Sequence, residues 1–345
     1  MSDAWRLDPT FAVCRELADG TPPSAFAGGP YDVRAVVASL RTGAKDGFLL
    51  DEIPWERFPH GDRVGEALRL LHTGALPVGA DVVGSLCADD ARAGAVLAVP
   101  FLIRIAADPR HPHRSLALAE ASAPARARYV GRACRDTLLL HRSDGLDDAD
   151  DDGYGYEVTG YPAAWSVAAA RAAITADAGL LLPLLGDPAP ANRVNAAYAL
   201  ATAADPDRTL RGAFLDRFGA EPDPTVRAAL ALATAEATRA RPHPAATAWL
   251  RALWQDGAEA PEVRLAAAIG WLCVTDEPAP SRLRDAVDAL ATEERARAMD
   301  RALPWMSAAS SSRETGLHRC VREILHPELP SPEPRFEDPW SAPAR

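Results

Sequence analysis

The feature that most constrains this chain is a seven-residue pattern that occurs three times between residues 194 and 269. The three stretches are Val194-Asn195-Ala196-Ala197-Tyr198-Ala199-Leu200, Val226-Arg227-Ala228-Ala229-Leu230-Ala231-Leu232 and Val263-Arg264-Leu265-Ala266-Ala267-Ala268-Ile269. Their valines, at positions 194, 226 and 263, are spaced by 32 and 37 residues. A period of this length is typical of a repeated pair of helices with variable loops. The pattern therefore predicts an all-α fold in which each unit packs against the next.

A proline-containing turn precedes each of the three stretches. The turns are Gly186-Asp187-Pro188, Glu221-Pro222-Asp223-Pro224 and Glu259-Ala260-Pro261. Proline cannot continue a helix, but it fits the first turn of the next one. Further helical segments are predicted before these turns, at residues 180–185, 209–218 and 246–254. Each unit is therefore predicted to be a helix, a turn and a second helix.

Small residues recur at one position of the predicted second helices. Ala197, Ala229 and Ala266 each lie three residues after the reference valine. Small side chains there let neighbouring helices approach closely, and the surrounding apolar residues indicate a helix buried on most of its circumference. Such a helix is expected between two neighbours in a stack.

These motifs resemble a known repeat family. The order Asp-Pro, a short gap, Val-Arg, Ala-Ala and Ala-Leu is similar to the second helix of a HEAT repeat over roughly residues 165–290. The resemblance implies a HEAT/armadillo-type protein, a right-handed α-solenoid of HEAT-like helical pairs. Residues 50–55, His60 and residues 98–102 also resemble an actinobacterial group of HEAT-repeat proteins, although Gly61-Asp62-Arg63 stands where that group has Ala-Tyr-Gly. This second resemblance implies a bacterial cytosolic setting.

The chain is predicted to divide into four regions. Residues 1–141 form an N-terminal helical region of divergent HEAT-like repeats, with helices at 63–72, 91–108 and 125–141, the second kinked or ended by Pro100. Residues 142–162 are an acidic loop rich in glycine and tyrosine, and residues 163–325 are the HEAT-like repeats. Residues 326–345 carry six prolines and are predicted to be a disordered tail.

Charge and composition narrow the class of protein. The formal net charge is −11 and the sequence pI is about 5.2, which disfavours a nucleic-acid partner because such proteins usually carry a basic face. The start of the chain lacks the basic and apolar regions of a secretory signal. The apolar stretch at residues 93–103 is too short for a bilayer, which needs about 20 residues. We therefore expect a soluble, cytoplasmic protein with no membrane contact.

No metal or cofactor is expected from the sequence. The five cysteines are scattered without a C-x-x-C pair, so they are predicted to be buried, reduced thiols rather than zinc ligands. The run from Asp148 to Gly153 matches the first half of a calcium loop, but Thr159 occupies the position of the bidentate glutamate. His111 and His113 flank a proline in a turn and are expected to be solvated.

The candidate binding residues come mainly from one stripe of the second helices. Asn195, Arg227, Arg264 and Trp271 fall on this stripe, which in HEAT-like solenoids usually faces the concave binding surface. Two alternatives stay open at this point. The arginines could instead bond to carboxylates and carbonyls of the adjacent unit and hold the stack together. Trp271 and the neighbouring candidate Tyr198 could be core residues.

Two functions follow from this interpretation. The first is an interaction scaffold that holds a protein or peptide on its concave face, because no H-E-x-x-H, G-x-S-x-G, Walker or Rossmann motif is present. The alternative is an enzyme or enzyme subunit with a small-molecule substrate, in bacterial secondary metabolism or DNA alkylation repair. In that case Asp223, at a helix start near Asn192, Asn195 and Arg227, is the first candidate for the site. Repair glycosylases of this type carry an aspartate one turn after a tryptophan, and none of the eight tryptophans here has that neighbour.

Overall fold

The structure is a computed structural model that describes residues 11–75, 92–126, 156–204, 209–330 and 332. Regular structure within these ranges is helical, and they contain no strand, only an isolated bridge between Tyr156 and Pro162. The prediction of an all-α fold is confirmed. In this part of the chain, no single helix is long and apolar enough to cross a membrane. One pair of consecutive helices, Ala163–Ala176 and Ala178–Gly186, is together long and apolar enough, but the two helices are bent by 64° relative to each other.

The described residues of the N-terminal part form six α-helices. They are α1 Ala12–Ala18, α2 Val33–Ser39, α3 Thr42–Asp46, α4 Gly61–Thr73, α5 Arg92–Ala107 and α6 Arg114–Ser122. Short 3₁₀ helices lie at Pro23–Phe26, Leu50–Glu52, Trp55–Arg57 and Ala123–Ala125. Helix α5 is buried along most of its length and packs against α4 and α6. It is therefore the central element of this part.

The second part begins at residue 163 and contains the remaining helices. They are α7 Ala163–Ala176, α8 Ala178–Leu181, α9 Pro190–Leu200, α10 Thr209–Ala220, α11 Pro224–Ala240, α12 Pro244–Gln255, α13 Pro261–Val274, α14 Ser281–Leu290, α15 Glu293–Ala302, α16 Pro304–Ala309 and α17 Gly316–Leu325. A 3₁₀ helix, Leu182–Gly186, continues α8. Helix α7 packs against α2 and α5, which joins the two parts through one hydrophobic core.

The predicted helical pairs are present. Helix α10 packs on α11 and α12 packs on α13, while the second helices α9, α11 and α13 also pack on one another in that order. Ala229 in α11 and Ala266 in α13 are fully buried. A Cβ atom on Gly270 would lie 2.8 Å from the Cβ of Ala235, so α11 and α13 approach closely, as the small residues predicted.

The register of the first pair differs from the valine alignment by two residues. Helices α9, α11 and α13 each begin at a proline, Pro190, Pro224 and Pro261. Counted from these prolines, the fourth residue is an arginine in all three helices: Arg193, Arg227 and Arg264. The valine alignment instead matched Asn195 with the two later arginines. Proline fixes where the helix starts, so it sets the structural register.

Helix α5 continues through Pro100. The predicted range of 91–108 agrees with Arg92–Ala107, and the proline lies inside the helix without ending it. Arg104 Nη1 donates to the Pro100 carbonyl across 2.8 Å. The predicted helix at 125–141 falls mostly outside the described residues, and its start is a 3₁₀ turn at Ala123–Ala125.

Two residues at the end of the predicted acidic loop, Glu157 and Tyr161, are packed into the core, whereas Val158 between them is exposed. Tyr161 is fully buried, and its hydroxyl donates to the Tyr31 carbonyl at 2.6 Å and accepts from the Val33 N–H at 3.0 Å. Glu157 is also buried and accepts from the Ser166 hydroxyl. The acidic run at 148–153, with its calcium-loop pattern, lies outside the described residues, as does most of the predicted tail.

A buried cluster of charges ties α3, α5 and the end of α7 together. Lys45 Nζ lies 3.1 Å from both carboxylate oxygens of Asp177, and Arg104 Nη1 lies 3.0 Å from one of them. Arg104 Nε also pairs with Asp46 at 2.6 Å. Two cations on one buried carboxylate satisfy a charge that would otherwise be costly to bury. This cluster therefore has a structural explanation.

Candidate functional site

The arginines of the second helices point into the contacts between helices. The guanidinium of Arg227 pairs with Glu259, in the turn that precedes α13, and lies 4.1 Å from the ring centroid of Phe218 in α10. Arg264 Nε donates to the Trp254 carbonyl at the end of α12, across 3.2 Å. These contacts favour the alternative in which the arginines hold the units together.

The equivalent arginine of the first pair, which the valine alignment missed, makes the most complete pairing. Arg193 Nε lies 2.8 Å from Glu221 Oε2, and Nη2 donates to Oε1 at 2.9 Å. Burial alone would raise the pKa of Glu221, but hydrogen bonds from the Asp223 N–H and from Arg217 and Arg193 lower it overall. In the preceding inter-helix turn, which comes before α9, Asp187 pairs with Arg114 of α6 at 2.7 Å. An acidic residue in each inter-helix turn therefore accepts an arginine from the preceding layer.

Asp223 and Asn195 have different environments. Asp223 caps α11, because its Oδ1 accepts from the N–H groups of Thr225 at 2.8 Å and Val226 at 3.3 Å. Asn195 is half-buried in α9. Asn192, expected beside Asp223, is buried and donates instead to Asp187 at 3.1 Å. Capping provides hydrogen-bond acceptors for backbone N–H groups that have no partner within the helix. This structural role accounts for an aspartate at position 223 without a catalytic role.

The two aromatic candidates are core residues. Trp271 is 1 % exposed, and its ring centroid lies 6.4 Å from that of Trp254. Tyr198 is 9 % exposed and meets Trp305 of α16 edge to face, with ring centroids 4.7 Å apart. The core alternative is thus the one that the structure favours for both.

A pocket that the sequence did not indicate lies where α15 faces the first turns of α11 and α13. Its volume is about 310 Å³. It is lined by Thr225, Glu262, Thr292, Glu294, Arg295, Ala298, Met299, Ala302 and Leu303. We call it the α15 cleft. It borders the Asp223 turn, so one of the predicted residues lies two positions from its wall.

The α15 cleft combines an apolar floor with free polar groups. Met299 and Leu303 are buried at its base. Glu262 and Glu294 on its wall form no ion pair with any described residue, whereas Arg295 donates to the Leu290 carbonyl. Thr292 caps α15 by accepting from the Arg295 N–H. The cleft therefore presents two carboxylates without an ion pair above an apolar surface.

The three described cysteines are buried, and His111 and His113 contact each other in their turn. In the described ranges, no group of three His, Cys, Asp or Glu side chains could hold a metal ion. His111 Nε2 lies 3.2 Å from the His72 carbonyl, and its Nδ1 accepts from the His113 N–H at 3.2 Å. The prediction of buried free thiols is confirmed for Cys14, Cys273 and Cys320. Burial, with the nearby charge of Glu157, raises the pKa of Cys14 to about 12.

Comparison of the chain with protein-family models, with curated proteins and with solved structures finds no match. The resemblance to HEAT/armadillo repeats rests on the residues and motifs quoted above.

Proposed function

We propose that the chain is an interaction scaffold, a right-handed α-solenoid of HEAT-like pairs, which binds a segment of a protein or peptide partner in the α15 cleft. The observation that carries this proposal is the cleft itself. Its size lies at the lower end of the range of about 300–1,000 Å³ for ligand sites, which fits one or two side chains. Arg227 and Arg264 are not part of the proposed contact surface, because neighbouring units engage both side chains.

The packing order of the helices supports the solenoid part of the proposal. Each second helix contacts the next second helix and its own first helix, which is the relationship that a repeat stack requires. The turn carboxylates Asp187, Glu221 and Glu259 repeat the same arginine contact from layer to layer. Proteins built from such stacked repeats commonly serve as binding proteins.

The charge of the chain supports a partner segment of basic or neutral character. The formal net charge is −11, and the wall of the cleft carries two carboxylates, Glu262 and Glu294, against one guanidinium, Arg295. Such a field steers basic partners toward the surface and repels acidic ones. We place this binding in the cytoplasm of a bacterial cell, as the resemblance implies.

Filling the cleft tests the proposal. Ala298 is exposed on its wall, so Ala298→Trp blocks the space without disturbing the core. Ala289→Trp is the matched control, because Ala289 is equally exposed on α14 but does not line the cleft. Tagged proteins are used for affinity capture from an extract of the native cell, with quantitative mass spectrometry.

Both variants are expected to melt at the wild-type temperature. Ala298→Trp should lose a specific set of captured proteins that the wild type and Ala289→Trp both retain. Identical captured sets for all three proteins would show that the α15 cleft is not the binding site.

A further inference from the structure

We infer that Tyr198, Glu236 and Trp305 form a binding site for a guanidinium group, which Arg126 of the same chain occupies, and that an arginine side chain of another chain can take its place. We call these three residues the aromatic cage. The cage lies between α9, α11 and α16 and is distinct from the α15 cleft, so it goes beyond the proposed function.

The position of Arg126 defines the cage. Its guanidinium carbon lies 3.4 Å from the ring centroid of Tyr198 and 5.6 Å from that of Trp305. Its Nη2 donates to the Tyr198 carbonyl at 2.6 Å and to Glu236 Oε2 at 3.1 Å. Two aromatic faces within about 6 Å and a carboxylate are the elements that recognise organic cations in proteins. The cage therefore has the chemistry of a cation receptor.

The carboxylate of the cage has capacity that Arg126 does not use. Glu236 is 2 % exposed, and its Oε2 accepts from both Arg126 and the Trp305 indole at 2.8 Å. Glu236 Oε1 and Arg126 Nε are buried without a hydrogen-bond partner. A guanidinium that approached without the constraint of this backbone could form two parallel bonds to the carboxylate. The unused oxygen indicates that a better-placed guanidinium would bind the cage more completely.

The shape of the cage favours arginine over lysine. A guanidinium is planar, stacks on aromatic faces and donates in a fork, whereas an ammonium is compact and strongly hydrated. The Tyr198 ring lies close enough to the guanidinium for direct stacking. The ligand class is therefore a guanidinium, supplied in a protein partner by an arginine side chain.

Access to the cage follows from where Arg126 starts. Arg126 follows directly after the 3₁₀ turn Ala123–Ala125. The whole residue is half-buried, whereas its side chain alone is 10 % exposed. The side chain thus leads from a half-buried backbone position into the buried cage, and we propose that a competing arginine enters along the line that Arg126 vacates. Occupation by Arg126 is in this sense autoinhibitory.

The first experiment empties the cage with Arg126→Ala and uses methylguanidinium chloride as the probe. We expect a saturable rise in Tm with millimolar methylguanidinium, and no rise with the neutral isostere methylurea. The matched control is Arg126→Met, which fills the same channel without charge and should not respond. Replacing the carboxylate in the Arg126→Ala, Glu236→Gln double variant should also abolish the response.

The result remains decisive if Arg126→Ala does not fold in buffer. In that case methylguanidinium should restore the helical circular dichroism signal, and methylurea should not. Failure of methylguanidinium either to stabilise or to restore the variant would overturn the assignment of the cage as a guanidinium site. An equal response of the double variant would overturn it as well.

The second experiment tests the exchange. Calorimetry measures binding of acetyl-Gly-Arg-Gly-amide and of the control acetyl-Gly-Gln-Gly-amide to the wild type and to Arg126→Ala. Because Arg126 competes in the wild type, we expect the arginine peptide to bind Arg126→Ala at least about tenfold more tightly than the wild type, with measurable binding to both. Absence of binding to the wild type would overturn the exchange. This outcome is independent of the Ala298→Trp capture, so failure at the cage and failure at the cleft are distinguishable.

Discussion

Arg193 and Glu221 form a two-point ion pair that joins α9 to the turn before α11, with both nitrogen–oxygen distances between 2.8 and 2.9 Å. The carboxylate side chain of Glu221 is fully buried and that of Arg193 is 9 % exposed. The pair therefore links two adjacent layers in a place where water does not screen the charges. Its loss should destabilise the stack rather than alter a surface.

Arg193→Ala is predicted to lower the free energy of unfolding by about 1.5–3 kcal/mol, because the buried Glu221 carboxylate loses one charged hydrogen-bond donor and keeps Arg217. Arg41→Ala is the control, since Arg41 and Glu52 are both exposed and such pairs contribute at most about 1 kcal/mol. Urea unfolding followed by circular dichroism measures both. Equal, small losses for the two variants would show that the interlayer pair does not hold the repeats.

Reversing the charge of the two later arginines tests the same principle where the contacts between units are only partly buried. The Arg227→Glu, Arg264→Glu double variant is predicted to lower the melting temperature, because position 227 would place a second carboxylate beside Glu259. The effect should be on the order of 2–4 kcal/mol, since the Arg227 pair is only partly buried. Adding Glu259→Arg restores opposite charges and should recover part of the loss. A melting temperature unchanged by the double substitution would return these arginines to the candidate binding surface.

The helical pairs could be predicted from the sequence, but the contacts between distant helices could not. Proline at the first turn and apolar spacing are local signals, so α10, α12 and the starts of α11 and α13 could be predicted within a few residues. The α15 cleft and the pairing of Glu236 with Trp305, 69 residues away, depend on which helices meet, and local patterns do not contain that information. Val194 lies two residues later in its helix than Val226 and Val263 lie in theirs, so alignment on valine predicts Asn195 where the structure has Arg193.

Two glycines offer a matched test of backbone packing. A Cβ atom on Gly316 would lie 1.9 Å from the Met306 carbonyl oxygen, so Gly316→Ala must displace the backbone where α17 meets α16. We expect a loss of about 2 kcal/mol or more, by analogy with overpacking of a tight interior. Gly212 lies inside α10 with nothing within 4 Å of such an atom. Gly212→Ala should therefore stabilise the protein by about 0.5–1 kcal/mol, because alanine favours helix. Thermal and urea unfolding measure the change in stability of both variants. Changes of the same sign for Gly316→Ala and Gly212→Ala would contradict this prediction.

The ring of His72 stacks on Phe48 with centroids 3.7 Å apart, and this contact should make stability depend on pH. His72 is exposed as a residue, but partial desolvation of its ring by neighbouring groups, together with the nearby charge of His111, lowers the pKa of His72 from its usual value of 6.5. The folded state therefore binds a proton less readily than the unfolded state, so protonation favours unfolding. The contribution of His72 is fully present above the unfolded pKa and is lost as the pH falls below it toward the lower folded pKa. His72→Phe keeps an aromatic ring on Phe48 and removes the titration, so its melting temperature should fall less than that of the wild type between pH 8 and about pH 5. Parallel melting curves for the two proteins over this range would contradict the assignment.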